Sequence, residues 1–224
     1  MSALNGLLLV DKPVGIAFAS VIKAVRRKFD LVKVGHGGSL DAMASGLFIV
    51  LVNDATRLGD QIMGADRAYE GTMRLGLKTN THDIHGETLA EGAGDYTSEQ
   101  LAKALAECRG DIFQTEPRFC SIRKEGTADY EIADTGEHKP FLAHVYRFAV
   151  EGNAFKLEGT KALIVRTLIN DFGDLLGCGA ALASLRRVRI GKFDVAQAMP
   201  FEKLLKLETG DLAGCLMPLS EALR

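Results

Sequence analysis

The chain has 224 residues, a formal net charge of −2, 47% hydrophobic and 25% charged residues. That balance belongs to a globular protein, and with Trp absent and Pro scarce it excludes disordered and Pro-rich classes. The length suits one large domain, expected to run from 1 to 224, and the net charge does not by itself announce a nucleic-acid binder.

The opening MSALNGLLLVDKP has an apolar run of only Leu7 to Val10 with Asp11 directly after it, so no secretory leader is expected there. No apolar stretch reaches membrane-spanning length. A cytoplasmic, monomeric protein without a membrane association is expected. Cys108, Cys120, Cys178 and Cys215 lie far apart with no C-x-x-C pair, which points to reduced, mostly buried thiols rather than a disulfide framework or a zinc site.

Gly6 to Val10 reads as a buried strand. Phe18 to Phe29 reads as an amphipathic helix with Phe18, Val21, Ile22, Val25 and Phe29 on one face and Lys23, Arg26 and Arg27 opposite. A glycine-rich loop, Gly35 to Ser39, follows. Then come a strand (Leu47 to Val52), a helix (Ala55 to Met63) and a strand (Tyr69 to Leu75). Thr97-Ser98-Glu99-Gln100 is a capping box that opens a helix running to about Arg109, closed by Gly110. Strands are expected at Phe119 to Lys124, His144 to Glu151 and Phe155 to Glu158. Val165 to Leu176 reads as a helix, Ala180 to Leu185 as another, and Phe201 to Leu207 as a short last one. Strands and helices mix without strict alternation, which predicts an α+β fold with a mostly antiparallel sheet flanked by helices.

Charge is clustered. Lys23, Arg26, Arg27, Lys28 and Lys33 face a single acid, Asp30, and the stretch from Leu175 to Phe193 holds Arg186, Arg187, Arg189 and Lys192 with no acid. Such patches hold phosphates or form solvated faces. The most unusual stretch is Gly35 to Gly46, GHGGSLDAMASG, with one imidazole, His36, and one carboxylate, Asp41. It fits special backbone angles or close approach of a ligand, a phosphate cradle without the Walker ending, or a tight connection capped by an Asp. Thr81-His82-Asp83-Ile84-His85 has a His-x-x-His spacing, weak as a metal signal because no third ligand is near. Arg166 follows the apolar run Ala162 to Ile164 and needs an acceptor; Asp41, Asp171 and Asp174 are all candidates.

Several stretches in order resemble the TruB-type tRNA pseudouridine synthases. They are Asp11-Lys12-Pro13-Val14-Gly15, Gly35-His36-Gly37-Gly38-Ser39-Leu40-Asp41, Asp54-Ala55-Thr56-Arg57, Tyr69 with Arg74-Leu75-Gly76, Lys124-x-Gly126 with Tyr130, Val165-Arg166-Thr167-Leu168, Leu176-Gly177-Cys178-Gly179-Ala180, Leu185-Arg186-Arg187 and Gly191-Lys192-Phe193. The resemblance implies a pseudouridine-synthase-like fold and isomerisation of the T-loop uridine at tRNA position 55, without cofactor or metal. It implies Asp41 as the catalytic carboxylate, Tyr69 stacked on a flipped base, Arg166 paired with Asp41, Leu185 lining the pocket and His36 holding the loop–base geometry. Lys12, Lys23, Arg186 and Arg187 become candidate RNA contacts, with the T-arm of tRNA as the partner. The chain also departs from the family pattern. Ala17-Phe18 replaces Thr-Ser, Gly37 replaces Thr, Ala42 replaces Pro, Ala162-Leu163-Ile164 replaces Gly-Thr-Tyr, and Asp129 and Asp134 flank Tyr130 in place of Leu and Arg. A full C-terminal RNA-binding domain of the kind many members carry is not expected. Two alternatives are a non-catalytic relative that binds or folds tRNA, and a small-molecule phosphate-binding enzyme built on the Gly35 loop.

Overall fold

A computed structural model describes residues 4–123 and 130–222. The expected motif residues Lys124 and Gly126, and Asp129, lie outside the described residues. The chain divides into two compact units, 1–65 with 186–224, and 66–185.

In the first unit the strand Gly6–Lys12 pairs antiparallel with Ala44–Val52, from Gly6 opposite Val52 to Lys12 opposite Gly46. Both strands are apolar almost throughout and buried on both faces, as central strands are. Val34–His36 adds to the other side of Ala44–Val52, and Met199–Pro200 joins Gly6–Lys12 in parallel. The core gathers Leu7, Leu9, Leu47, Ile49, Leu51, Ala55, Ile62, Ile190 and Phe193. The helix Phe18–Lys28 forms where its periodicity placed it: Val21 and Val25 are buried, and Lys23, Arg26 and Arg27 are exposed.

In the second unit Arg67–Leu75, Ala154–Gly159, Phe141–Glu151 and Gly110–Gln114 form successive antiparallel pairs. Ser98–Glu107 carries the expected capping box, and Val165–Leu176 ends at the left-handed Gly177 (φ 80°). Phe172 meets Phe148 edge-on at 5.1 Å, which seats that helix on the sheet. The mixed, mostly antiparallel sheet with flanking helices is thus present in both units.

Three local expectations are corrected. Ala180–Leu185 is not a helix but the first half of the strand Ala180–Ile190. Its alanines and leucines favour a helix alone, yet both faces of the segment are taken up by neighbours, and packing overrides propensity. Ala55 to Met63 is a 3₁₀ turn, Asn53–Leu58, followed by one α-helical turn, Gly59–Met63. Gly35 and His36 are strand residues, so the loop proper begins at Gly37.

Candidate active site

The loop between His36 and Ala44 is pinned from inside. Leu40, Ala42 and Met43 are buried, whereas Asp41 between them is exposed. The buried neighbours anchor the backbone on both sides of the exposed Asp41. Asp41 O accepts from Ala44 N–H at 3.1 Å, and Ala42 O accepts from Gly15 N–H at 2.7 Å, tying the loop to the turn after the first strand.

Arg187 holds the same loop from beneath. Its side chain is 1% exposed. Nε donates to Leu47 O at 2.9 Å, Nη1 to Ser39 O at 2.7 Å and Nη2 to Gly38 O at 3.4 Å. Gly46 (φ 101°) is a glycine for a plain reason: a β-carbon there would overlap the backbone of Arg187. The imidazole of His36 closes the turn, with Nδ1 accepting from Gly38 N–H at 3.2 Å. Burial and the neighbouring Arg187 lower the His36 pKa, favouring the neutral ring that this bond requires.

Lys12 is fully buried and donates to Pro13 O at 3.0 Å and Ile16 O at 2.8 Å. Burial pushes its ammonium down to about 8, opposed by the charge of Asp41 and assisted by Arg187. Arg186 forms a two-pronged bridge to Asp11, at 3.0 and 2.7 Å. The expected RNA-contacting roles of Lys12 and Arg187 are therefore corrected. Both are enclosed, with donors committed to backbone carbonyls, because an unpaired buried cation is prohibitive. Arg186 is half-buried and engaged with Asp11. Lys23, by contrast, remains on an open face.

Tyr69, Arg166 and Leu185 belong to the second unit, and all three are buried. Tyr69 lies on the strand Arg67–Leu75, opposite Leu157. Arg166 stands in the first turn of the helix Val165–Leu176, and Nη1 donates to Thr81 O at 3.3 Å. The two other candidate partners are engaged elsewhere: Asp174 takes Lys78, and Asp171 accepts from Asn170. Sequence reading missed Gln114. Buried at 1% exposure, its side chain accepts from Ile164 N–H at 3.0 Å and donates to Ile164 O at 3.1 Å, fixing the approach to Arg166. A lone amide in an edge strand gives no sign of that role before the fold brings the segments together. Among the described residues, no three His, Cys, Asp or Glu side chains converge as metal ligands, and no helix is long and apolar enough to cross a membrane. Cys108 is buried, and Cys178 and Cys215 are half-buried free thiols.

The profile of the TruB family pseudouridylate synthase N-terminal domain matches residues 26–151, more than half of the chain, and that of the tRNA pseudouridylate synthase B C-terminal domain matches residues 166–224. The chain belongs to the TruB family of pseudouridylate synthases. It is 36% identical to the tRNA pseudouridine synthase B of Opitutus terrae, over 98% of this chain and 95% of that one. It is 36% identical to that of Aromatoleum aromaticum, over 96% and 72%. Among solved structures, a Cbf5-Nop10-Gar1 complex shares the fold, with a TM-score of 0.73 at 24% identity; the match covers 98% of this chain and 61% of that one.

The structure accounts for departures of this TruB-family chain from its relatives' pattern. Phe18 meets the His36 ring edge-on at 5.2 Å, and Phe48 stacks on it at 6.1 Å, so the helix start packs the imidazole that holds the loop. At Gly37 a β-carbon would come within 2.5 Å of Ile62 Cγ2: Ile62 fills the space a threonine would need. Leu163 is buried close against Gly159, which repacks the segment before Arg166 with apolar atoms.

Proposed function

We infer that this TruB-family enzyme isomerises uridine to pseudouridine in tRNA, at the T-loop uridine of position 55, with Asp41 as the catalytic carboxylate. The observation that carries the assignment is the placing of Asp41. It is an exposed carboxylate between buried anchors, on a loop held by Arg187, His36 and the Gly15–Ala42 bond. Rigid support of this kind positions a reacting group without a reorganisation cost at the moment of reaction.

The reaction breaks the ribose C1′–N1 bond, turns the uracil and forms a C1′–C5 bond; C5 loses a proton and N1 carries one. Product and substrate have the same composition, so neither an oxidant nor a co-substrate is consumed. Asp41 acts beside the ribose as nucleophile or base, and an ionised carboxylate serves either role. The uridine must leave its stack to reach it. Tyr69 supplies the aromatic face for the displaced base, Leu185 an apolar wall, and Arg166 the positive charge of the reacting set. The partner is the T-arm of tRNA, bound as a folded shape with phosphate contacts.

The test is incubation with an unmodified tRNA transcript and mapping of pseudouridine nucleotide by nucleotide. Asp41→Asn keeps the shape and removes the charge, so it is expected to melt like the wild type and form no pseudouridine. Activity of the variant above about one-tenth of wild type, some 1.4 kcal/mol of barrier, would reject Asp41.

A further inference from the structure

The turn from Asn80 to Gly86 contains a residue with two anomalies. His82 has φ of 63°, in the left-handed region that a side chain with a β-carbon enters only at a cost. Its Nδ1 is buried and has no hydrogen-bond partner among the described residues, and such atoms are rare in folded proteins. Neither anomaly comes from loose structure. His82 N–H donates to Thr79 O at 3.3 Å, and His82 O accepts from Leu182 N–H at 3.0 Å. Ile84 N–H returns to Leu182 O at 3.0 Å. Asp83, buried, accepts from Thr81 Oγ1 at 3.1 Å and His85 N–H at 2.9 Å. Strain that persists in so constrained a turn is a pointer to use.

The surroundings indicate which use. Thr81 O, one residue before His82, accepts from Arg166 Nη1. The charged groups facing His82 are Arg166, Lys78 and Asp174; Lys78 is taken up by Asp174 at 2.5 and 2.8 Å. Arg166 carries five N–H donors in a fixed planar fork. Burial, with Arg166 and then Lys78 alongside, pushes the His82 imidazole down to about 4. The ring is therefore neutral at physiological pH, and a neutral imidazole protonated on Nε2 offers Nδ1 as an acceptor.

We propose that His82 is a positioning residue for Arg166, its Nδ1 accepting a guanidinium N–H as RNA fills the site, so that Arg166 is held by Thr81 O and His82 together. The inference rests on the reading of Arg166 as part of the reacting set. It gives a purpose to a side chain with an acceptor here, since glycine would relieve the left-handed strain at the same position.

The experiment measures single-turnover rate and Kd on an unmodified tRNA transcript for wild type, His82→Gly, His82→Asn and Arg166→Ala. Glycine keeps the backbone and removes the acceptor. Asparagine also enters the left-handed region and sets its carbonyl oxygen near the place of Nδ1. His82→Gly is expected to lose about tenfold or more in rate with Kd within about threefold. His82→Asn is expected to recover most of that rate, and both should melt no lower than wild type. A purely structural role would not separate Gly from Asn. Equal rates for Gly and wild type, or equal losses for Gly and Asn, overturn the proposal. If Arg166→Ala loses activity while His82→Gly does not, only this inference falls. If Arg166→Ala turns over at the wild-type rate, the reading of Arg166 falls and the proposal with it.

Discussion

Arg187 Nη1 donates to the carbonyl oxygen of Ser39 at 2.7 Å, across a sequence separation of 148 residues. This bond and its two companions couple the strand Ala180–Ile190 to the backbone two residues before Asp41. A guanidinium is suited to the task because its rigid planar fork spreads its donors in fixed directions to three separate carbonyls, whereas an ammonium concentrates three rotating donors on one atom. Arg187→Ala should lose about 3–5 kcal/mol in urea unfolding, since it strands buried carbonyls. Arg187→Lys should recover part of the stability, yet remain slow in single turnover. Because Arg187 is enclosed, neither variant should change the salt dependence of tRNA binding; a shallower slope would return it to the RNA-contacting class.

Gly37 and Ile62 should behave as a compensating pair. Gly37→Thr alone forces a β-carbon into Ile62 Cγ2 and should cost about 1–3 kcal/mol. Ile62→Ala alone opens a cavity and should cost about 2–5 kcal/mol. The double variant should be more stable than the sum predicts by roughly 1 kcal/mol or more. Strict additivity in a double-mutant cycle would show that Ile62 does not occupy the missing threonine's space.

Lys12 makes stability depend on pH with a definite sign. Its folded pKa, about 8, lies below the ordinary lysine value of 10.5, so between the two the unfolded chain binds the proton more tightly. Stability from this group is full above about 10.5 and is lost as pH falls through about 8. Relative to Lys12→Met, wild type should therefore gain roughly 2–3 kcal/mol between about pH 7.5 and 10, at about 1.4 kcal/mol per pH unit. Unfolding curves that stay parallel over that range would contradict the burial of a charged Lys12.

The open basic face of the helix Phe18–Lys28 is the better phosphate-binding candidate. Lys23, Arg26 and Arg27 are exposed, and the helix has no acid in its first turn. Replacing all three with alanine should weaken tRNA binding. It should also flatten the plot of log affinity against log salt by about 0.7–0.9 for every phosphate the protein ceases to neutralise. Arg186→Ala should leave the slope unchanged, because Asp11 already holds that guanidinium. If Arg186→Ala flattens the plot and the triple variant does not, the two surfaces exchange roles.

Much of this protein was legible in its residues. Hydrophobic period placed the helices Phe18–Lys28 and Val165–Leu176, the Thr97 to Gln100 pattern placed a helix start, and the ordered motifs around Gly35 to Asp41 and Val165 to Leu168 indicated the family. Such signals are local: spacing, capping and turn chemistry act within a few residues. What the sequence could not show depended on groups far apart in the chain. Ala180 to Leu185 is helix-prone by itself and becomes a strand because neighbours pack on both its faces. Lys12 and Arg187 look like surface cations and are buried, because backbone carbonyls that the fold turns toward them accept their hydrogen bonds. Gln114 is an unremarked amide until Ile164 is brought beside it. A charge in a sequence carries no record of its acceptor. The tertiary structure decides whether that acceptor is water, a phosphate or a carbonyl, since only the folded chain removes the water and leaves the donor one partner.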